Sequence, residues 1–219
     1  MTQTRTRGPY AKSADRRAII ARAAHDVVME VGHQALTTAA VAKRAGMSER
    51  TMLYHYPTRD HLLVAALELA DDETATVVIA TATAVDSMAK TDWLELMLEQ
   101  MTRLSVSGDN RTRLHVHLAS LAQNEEHPAR EYFERNYARA VDGMASQIRM
   151  RQEAGLAHPD KDPVTVARRV VGAWDGLQAQ WLVSRDFDLP AEILGTFRDL
   201  TGQSVMETRQ AMEELLAQI

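Results

Sequence analysis

The chain has 219 residues, 45% of them hydrophobic and 25% charged, with a formal net charge of −5; this suits one medium domain or a small domain plus a larger one, and excludes disordered and collagen-like classes. It contains no cysteine, which excludes disulfides and thiolate metal sites and permits a reducing compartment. No apolar run approaches the ~20 residues that span a bilayer, and no apolar segment follows the arginines near the N-terminus, so no membrane partner and a cytoplasmic location are expected.

Alanine, leucine, glutamate, arginine and methionine are plentiful, against 10 Gly and 6 Pro, and no alternating strand pattern with hairpin turns stands out. The expected fold class is all-α. Charge is unevenly spread: residues 1–60 hold ten Lys and Arg against five Asp and Glu, and the remainder holds 15 against 25. A segment of +5 therefore precedes one of −10, as suits a phosphate-contacting head on an acidic body.

Residues 1–12, with Arg5, Arg7, Gly8, Pro9 and Lys12, lack periodicity and read as a basic arm. From Ser13 to Val31 the pattern turns helical, with Ile20, Ala24, Val27 and Val31 on one stripe and Ala23 and Val28 beside it, and Gly32 ends it. The next stretch, LTTAAVAKRAGMSERTMLYHY from Leu36 to Tyr56, predicts two short helices meeting at a glycine. Thr37 or Thr38 supplies a hydroxyl cap for a helix to about Ala45, Gly46 supplies positive φ for the turn, and Ser48 caps a second helix to about Tyr56. Ala42 sits where the helices approach closely, and Val41, Ala45, Met47 and Met52 face the small core. Ser48, Glu49, Arg50, Thr51 and Leu53 point outward on a helix that fits the major groove. An ordinary αα-hairpin shows the same glycine turn.

The extended run LTTAAVAKRAGMSERTMLYHYPTRDHLLVAALE resembles the DNA-binding domain of TetR-family transcriptional regulators. In that family a leading helix, the helix-turn-helix, an aromatic-histidine-aromatic end and a proline-polar-basic link into a long helix follow in this order, here through Tyr54, His55, Tyr56, Pro57, Thr58 and Arg59. The match covers about the first third of the chain. The resemblance places Thr38, Tyr54, His55 and Arg59 at phosphates. Side-chain chemistry makes Arg50 the best base reader, since its planar fork suits guanine; Glu49 could accept from cytosine, and Thr51 or Leu53 could touch a thymine methyl. Leu53 stands where the family commonly has tyrosine, and Arg50 where a small residue is frequent, so no relative's operator transfers.

Pro57 closes the second short helix and Thr58 caps a long one through His61, Leu62, Leu63, Ala66 and Leu67 to near Ile79 or beyond. Domains are accordingly expected at 1–57, arm and helix-turn-helix, and 58–219, a larger helical effector-binding and dimerisation domain. A helix from Asp92 to near Gly108 carries Trp93, Leu94, Met97, Leu98, Met101 and Leu104. Another, capped by Asp109, runs to about Asn124, and a long one from Pro128 to Ala154 carries Tyr132, Phe133, Tyr137, Val141, Met144 and Ile148. Two final helices are expected at about Pro163–Val183 and Pro190–Leu216.

The segment VVGAWDGLQAQWLVSR is a second point of resemblance, in the penultimate helix. The family pairs its last two helices with those of a second subunit. That implies a homodimer, with Trp174, Leu177, Gln178, Trp181, Ile193, Phe197, Val205 and Met212 as candidates for the subunit contact or for the chain's own core. Trp93, Met97, Met101, Tyr137, Met144 and Trp174, with His115, His117 and Gln178 as polar groups, are candidates to line a pocket for an apolar or aromatic effector, though such a stripe equally describes core.

No enzyme is expected. His115 and His117 are two apart on a helix and diverge, no other histidine pair has metal-site spacing, and there is no phosphate loop, nucleophile elbow or recognisable carboxylate pair. No cofactor and no metal are expected. The reading is a sequence-specific regulator, a repressor that binds a partly palindromic double-stranded operator as a homodimer and is released by a small molecule. The alternative is a helical interaction protein that binds a protein partner, or nucleic acid without sequence choice.

Overall fold

The computed structural model describes residues 9–84 and 90–217, with side chains over 13–77, 95–213 and 215–216. The described residues form ten α-helices and one 3-10 turn, with no strand. They are α1 Pro9–Val31, the turn His33–Ala35, α2 Thr38–Arg44, α3 Glu49–His55, α4 Arg59–Ala84, α5 Lys90–Ser107, α6 Asp109–Leu121, α7 Ala129–Glu153, α8 Pro163–Ser184, α9 Leu189–Thr201 and α10 Gln203–Ala217. The expected basic arm lies mostly outside the described residues.

Packing groups the chain into two compact units, the residues up to Glu73 with Gly108–Tyr132, and Thr74–Ser107 with the residues from Phe133 on. The first unit is therefore discontinuous in sequence.

In the first unit α1 packs on α2 and α6. Ile20, Ala23, Ala24, Val27 and Val28 are buried as their spacing requires, but Val31 is 58% exposed. Val31 is the last residue before Gly32, whose φ of 83° turns the chain away before the stripe can continue. Asn110 of α6 meets that end, donating to the Met29 carbonyl at 2.9 Å and so pairing an acceptor the helix leaves open.

The second unit has one core of Leu98, Ala145, Ile148, Val166, Ala167, Val170 and Phe197, and another of Trp181, Leu189 and Ile193. Asp162 and Asp188 cap α8 and α9 through the amides of Thr165 and Ala191, each with a proline in the first turn.

The expected single last helix is broken at Gly202, which ends α9 in the left-handed region at φ 74°. The break resets the helical phase. Ile193 and Phe197, on the α9 stripe, are 2% and 0% exposed, whereas Val205 and Met212 on α10 are 62% and 60% exposed. Ile193, Phe197, Gln178 and Trp181 are thus buried in their own unit, and of the candidate subunit contacts only Val205 and Met212 lie open, with Trp174 and Leu177 half-buried. A surface depression of about 620 Å³ runs along the open side of α10, past Val205, Thr208, Met212 and Leu216.

Candidate nucleic-acid interface

The two short helices of the first unit form as their residues dictate. Thr37 is the cap of α2, its hydroxyl accepting from the Ala40 amide at 3.1 Å. Gly46 has φ 66°, and the amide of Met47 closes back on the Ala42 carbonyl at 3.1 Å. A Cβ at Gly46 would meet nothing within 4 Å, so glycine is needed there for its backbone angle and not for space. Ser48 then caps α3, accepting from the Thr51 amide at 3.2 Å and sharing a 2.8 Å bond with the Thr51 hydroxyl.

The inward face of this pair is apolar, with Val41, Ala42 and Met52 at 0%, 3% and 0% exposure; Ala45 and Met47 are half-buried. The outward face holds Ser48, Glu49 and Arg50, exposed, with Thr51, Leu53 and Thr38 partly so. Tyr54 is 85% exposed. A large aromatic left open beside a basic residue on a short helix is unusual for a core-facing hairpin.

His55 behaves otherwise. It is 8% exposed, its ring edge-on to Tyr54 at 5.3 Å, and this burial removes its imidazole from the set of open phosphate donors. The cause is helical period: His55 lies three residues after Met52, on the same inward face. Arg17 from α1 seals this end, donating to the His55 carbonyl at 2.8 Å while its guanidinium sits 4.4 Å over the Tyr56 ring. Burial pushes the Tyr56 phenol up from its ordinary range.

Arg59 is also committed internally. Its guanidinium donates to the carbonyls of Leu36 at 3.0 Å and of His33, holding the 3-10 turn that precedes α2. Its Nε and Nη2 are thus given to backbone and brace the helix-turn-helix, while Nη1 lies 3.8 Å from Asp60 on a side chain 37% exposed. Arg44 is paired to Glu30 of α1 by two bonds of 2.5 and 2.6 Å, which hold the Glu30 carboxyl below its usual range. Arg22 pairs with Glu73. Among the described residues of α1 to α3, Arg16, Lys43 and Arg50 are the basic side chains without an ion-pair or hydrogen-bond partner. Lys43 went unselected in the sequence; an exposed lysine in the last turn of α2 was its only signal.

Behind the helix-turn-helix, His33 stacks on His117 of α6, ring centres 4.6 Å apart and planes 27° from parallel. Burial holds both imidazoles below their ordinary range, aided at His33 by His117, Arg59 and Arg113, and at His117 by Arg59 and His127 with Asp60 opposing. Unfolded imidazoles titrate near pH 6.5, so the unfolded chain takes protons first as pH falls below that value. Stability is therefore fully present above about pH 6.5 and declines below it until the folded pair also protonates. Thermal melts between about pH 7.5 and 5.5 should show this decline, and His117→Phe, which keeps a stacking ring, should reduce it; equal pH slopes in the two proteins would refute the assignment.

The candidate effector residues are spread more widely. Met97, Met144 and Trp174 pack on the Leu98 core of the second unit. The Tyr137 hydroxyl donates to Asp175 at 2.6 Å, and burial first, then this bond, pushes its phenol well up. Gln178 is buried and donates to Ser105 at 3.1 Å, while Ser105 donates to the carbonyl of the half-buried Met101 at 3.1 Å. His115 lies half-buried on α6 in the first unit. The side chain of Trp93 lies outside the described residues. Among the described residues no group of three or more His, Asp or Glu side chains could hold a metal, and no helix is long and apolar enough to cross a membrane.

Two protein families match the chain. One is described as bacterial regulatory proteins of the tetR family, over residues 20–66, and the other as the C-terminal part of BetI-type transcriptional repressors, over residues 90–203. A search of curated proteins found no match. Solved structures with the same fold include a TetR-family regulator from Rhodococcus sp., 24% identical, TM-score 0.67, covering 86% of this chain and 99% of that one. A transcriptional regulator from Saccharomonospora viridis in complex with choline is 20% identical, with TM-score 0.66, 85% of this chain and 95% of that one covered. The FadR repressor of Thermus thermophilus in complex with lauroyl-CoA is 18% identical, with TM-score 0.64, 84% and 92% covered.

Proposed function

The chain belongs to the TetR family of transcriptional regulators, and we propose that it is a repressor that binds a partly palindromic operator as a homodimer and leaves it when a small molecule occupies the second unit. The observation that carries the reading is the division of α3 into a buried face, Met52 with His55, and an open face bearing Ser48, Glu49, Arg50 and Tyr54. An αα-hairpin kept only for packing also turns polar residues outward, but it has no need of a tyrosine 85% exposed among them. Lys43, Tyr54 and Arg16 are candidates for phosphate contact and Arg50 for guanine.

A dimer is favoured on two grounds. One seven-residue helix reads too few base pairs to be selective, and pairing of half-sites supplies the rest. The exposed Val205, Met212, Leu215 and Leu216 of α10, each more than half open, leave apolar area that a second copy would cover. Repression by occluding polymerase and release by effector follow the family's expected mode; release requires that the effector prefer a conformation in which the paired heads no longer match the operator spacing. Similar structures hold ligands as different as choline and lauroyl-CoA, so shared fold does not select the effector. An apolar or aromatic one suits Met97, Met101, Met144 and Trp174, with Tyr137, Gln178 and Trp93 as further candidates.

The test is selection of bound duplexes from a random pool by the purified protein at about physiological salt, where phosphate-only binding is weakened. An enriched inverted repeat is the expected result. Binding without enrichment by folded, refolded and ligand-stripped protein would instead support an interaction protein indifferent to sequence.

A further inference from the structure

Thr38 opens α2 and Glu49 opens α3, eleven residues later, and the Thr38 hydroxyl donates to Glu49 Oε1. This bond decides what Thr38 can do. A hydroxyl has one hydrogen to donate, and phosphate oxygens only accept; while Thr38 holds Glu49 its hydroxyl has nothing to give a phosphate. Nor is Thr38 needed as the cap of α2, since Thr37 fills that role.

Glu49 is the other half of the argument. Its side chain is exposed, and among the described residues no basic side chain pairs with it. The neighbouring hydroxyls of Ser48 and Thr51 are bonded to each other at 2.8 Å. An unpaired carboxylate on the open face of a helix in the major groove is repelled by phosphates at every sequence. A donor on a base edge opposite it offsets that cost; of the two such donors, adenine N6 lies beside the N7 acceptor, which repels a carboxylate, and cytosine N4 is the one that suits it. A free glutamate side chain would also lose rotamer entropy on meeting the base; the bond from Thr38 fixes the carboxylate beforehand.

Resting on the DNA-binding reading above, we propose that Glu49 is a specificity-determining residue that reads a cytosine amine in each half-site, and that Thr38 is its positioning residue, its hydroxyl serving the carboxylate and not a phosphate. The experiment compares the full-length protein with Glu49→Ala, Thr38→Val, Thr38→Ser and the double variant Thr38→Val/Glu49→Ala. Each is tested by duplex selection and by titration of the selected operator, its single-base variants and a random duplex. Thermal melts confirm that each variant is folded.

The expected result is a preference for cytosine at one position of each half-site, which Glu49→Ala lowers by about tenfold while binding the random duplex more tightly. Thr38→Val loses part of the same preference and Thr38→Ser keeps it. In the Glu49→Ala background, Thr38→Val changes nothing. The proposal is overturned if Glu49→Ala leaves the base preferences unchanged, or if Thr38→Val weakens every duplex equally in both backgrounds, the signature of a phosphate contact. Absence of any enriched sequence with the parent protein would remove the DNA-binding reading itself, and the proposal with it.

Discussion

Met52→Ala is expected to cost about 2–5 kcal/mol of stability and to abolish selective DNA binding. Met52 is fully buried at 0% exposure in the middle of α3, a helix of seven residues. Isolated helices shorter than about 12–15 residues are marginal in water, so α3 persists because its inward side chains are docked. Removing the thioether leaves a cavity under the recognition helix and withdraws the contact that fixes its angle to α2. Leu53→Ala, one residue on but outward and half-buried, should cost less than about 1 kcal/mol. Urea unfolding followed by far-UV circular dichroism, with operator titration below the transition, measures both; a Met52→Ala protein with the parental midpoint and affinity would show that α3 is held by something else.

The second large effect is expected in the other unit, where Phe197→Ala should cost about 3–5 kcal/mol. Phe197 is 0% exposed at the centre of the Leu98, Ile148, Val166 and Val170 core, and the Arg151 guanidinium lies 5.6 Å from its ring centre. Arg151 is itself 4% exposed. Its Nη2 donates to Gln203 at 2.9 Å and reaches Glu95 at 3.4 Å, while the other Glu95 oxygen accepts from Arg198 at 2.5 Å. Burial pushes the Glu95 carboxyl up, but its bonds to Arg198 and Gln203 hold it below the usual range. Deleting the ring thus removes core volume and the aromatic face of a buried cation together. A loss under about 1 kcal/mol in denaturant unfolding would mean that the core refills the space.

Features set by neighbours in the chain were legible in the sequence. Gly46, Ser48 and Pro57 mark the turn, the cap and the end of the helix-turn-helix, because positive φ, a hydroxyl acceptor and a missing amide act within four residues. The burial of His55 was equally readable, since its three-residue step from Met52 assigns it to the inner face. Gly202 was missed because the apolar repeat resumes after it and no proline follows. Arg59 on the turn before α2, Thr38 on Glu49, and His33 on His117 join residues 11 to 84 positions apart. No local pattern encodes such pairs; they exist only once the helices pack.

The discontinuity of the first unit bears on how the chain is made. Leu114 and Leu118 are fully buried, and Asn110 and His117 join the end of α1 and the turn before α2. All four belong to a stretch translated well after the helix-turn-helix. On the ribosome, α1 to α3 emerge with part of their supporting surface still unsynthesised, and they must wait through α4 and α5 for α6 before their packing is complete. Assembly of the DNA-contacting helices is thus a late event in synthesis although their codons are among the first read, and a nascent chain stalled before α6 would present an apolar face that the finished protein conceals.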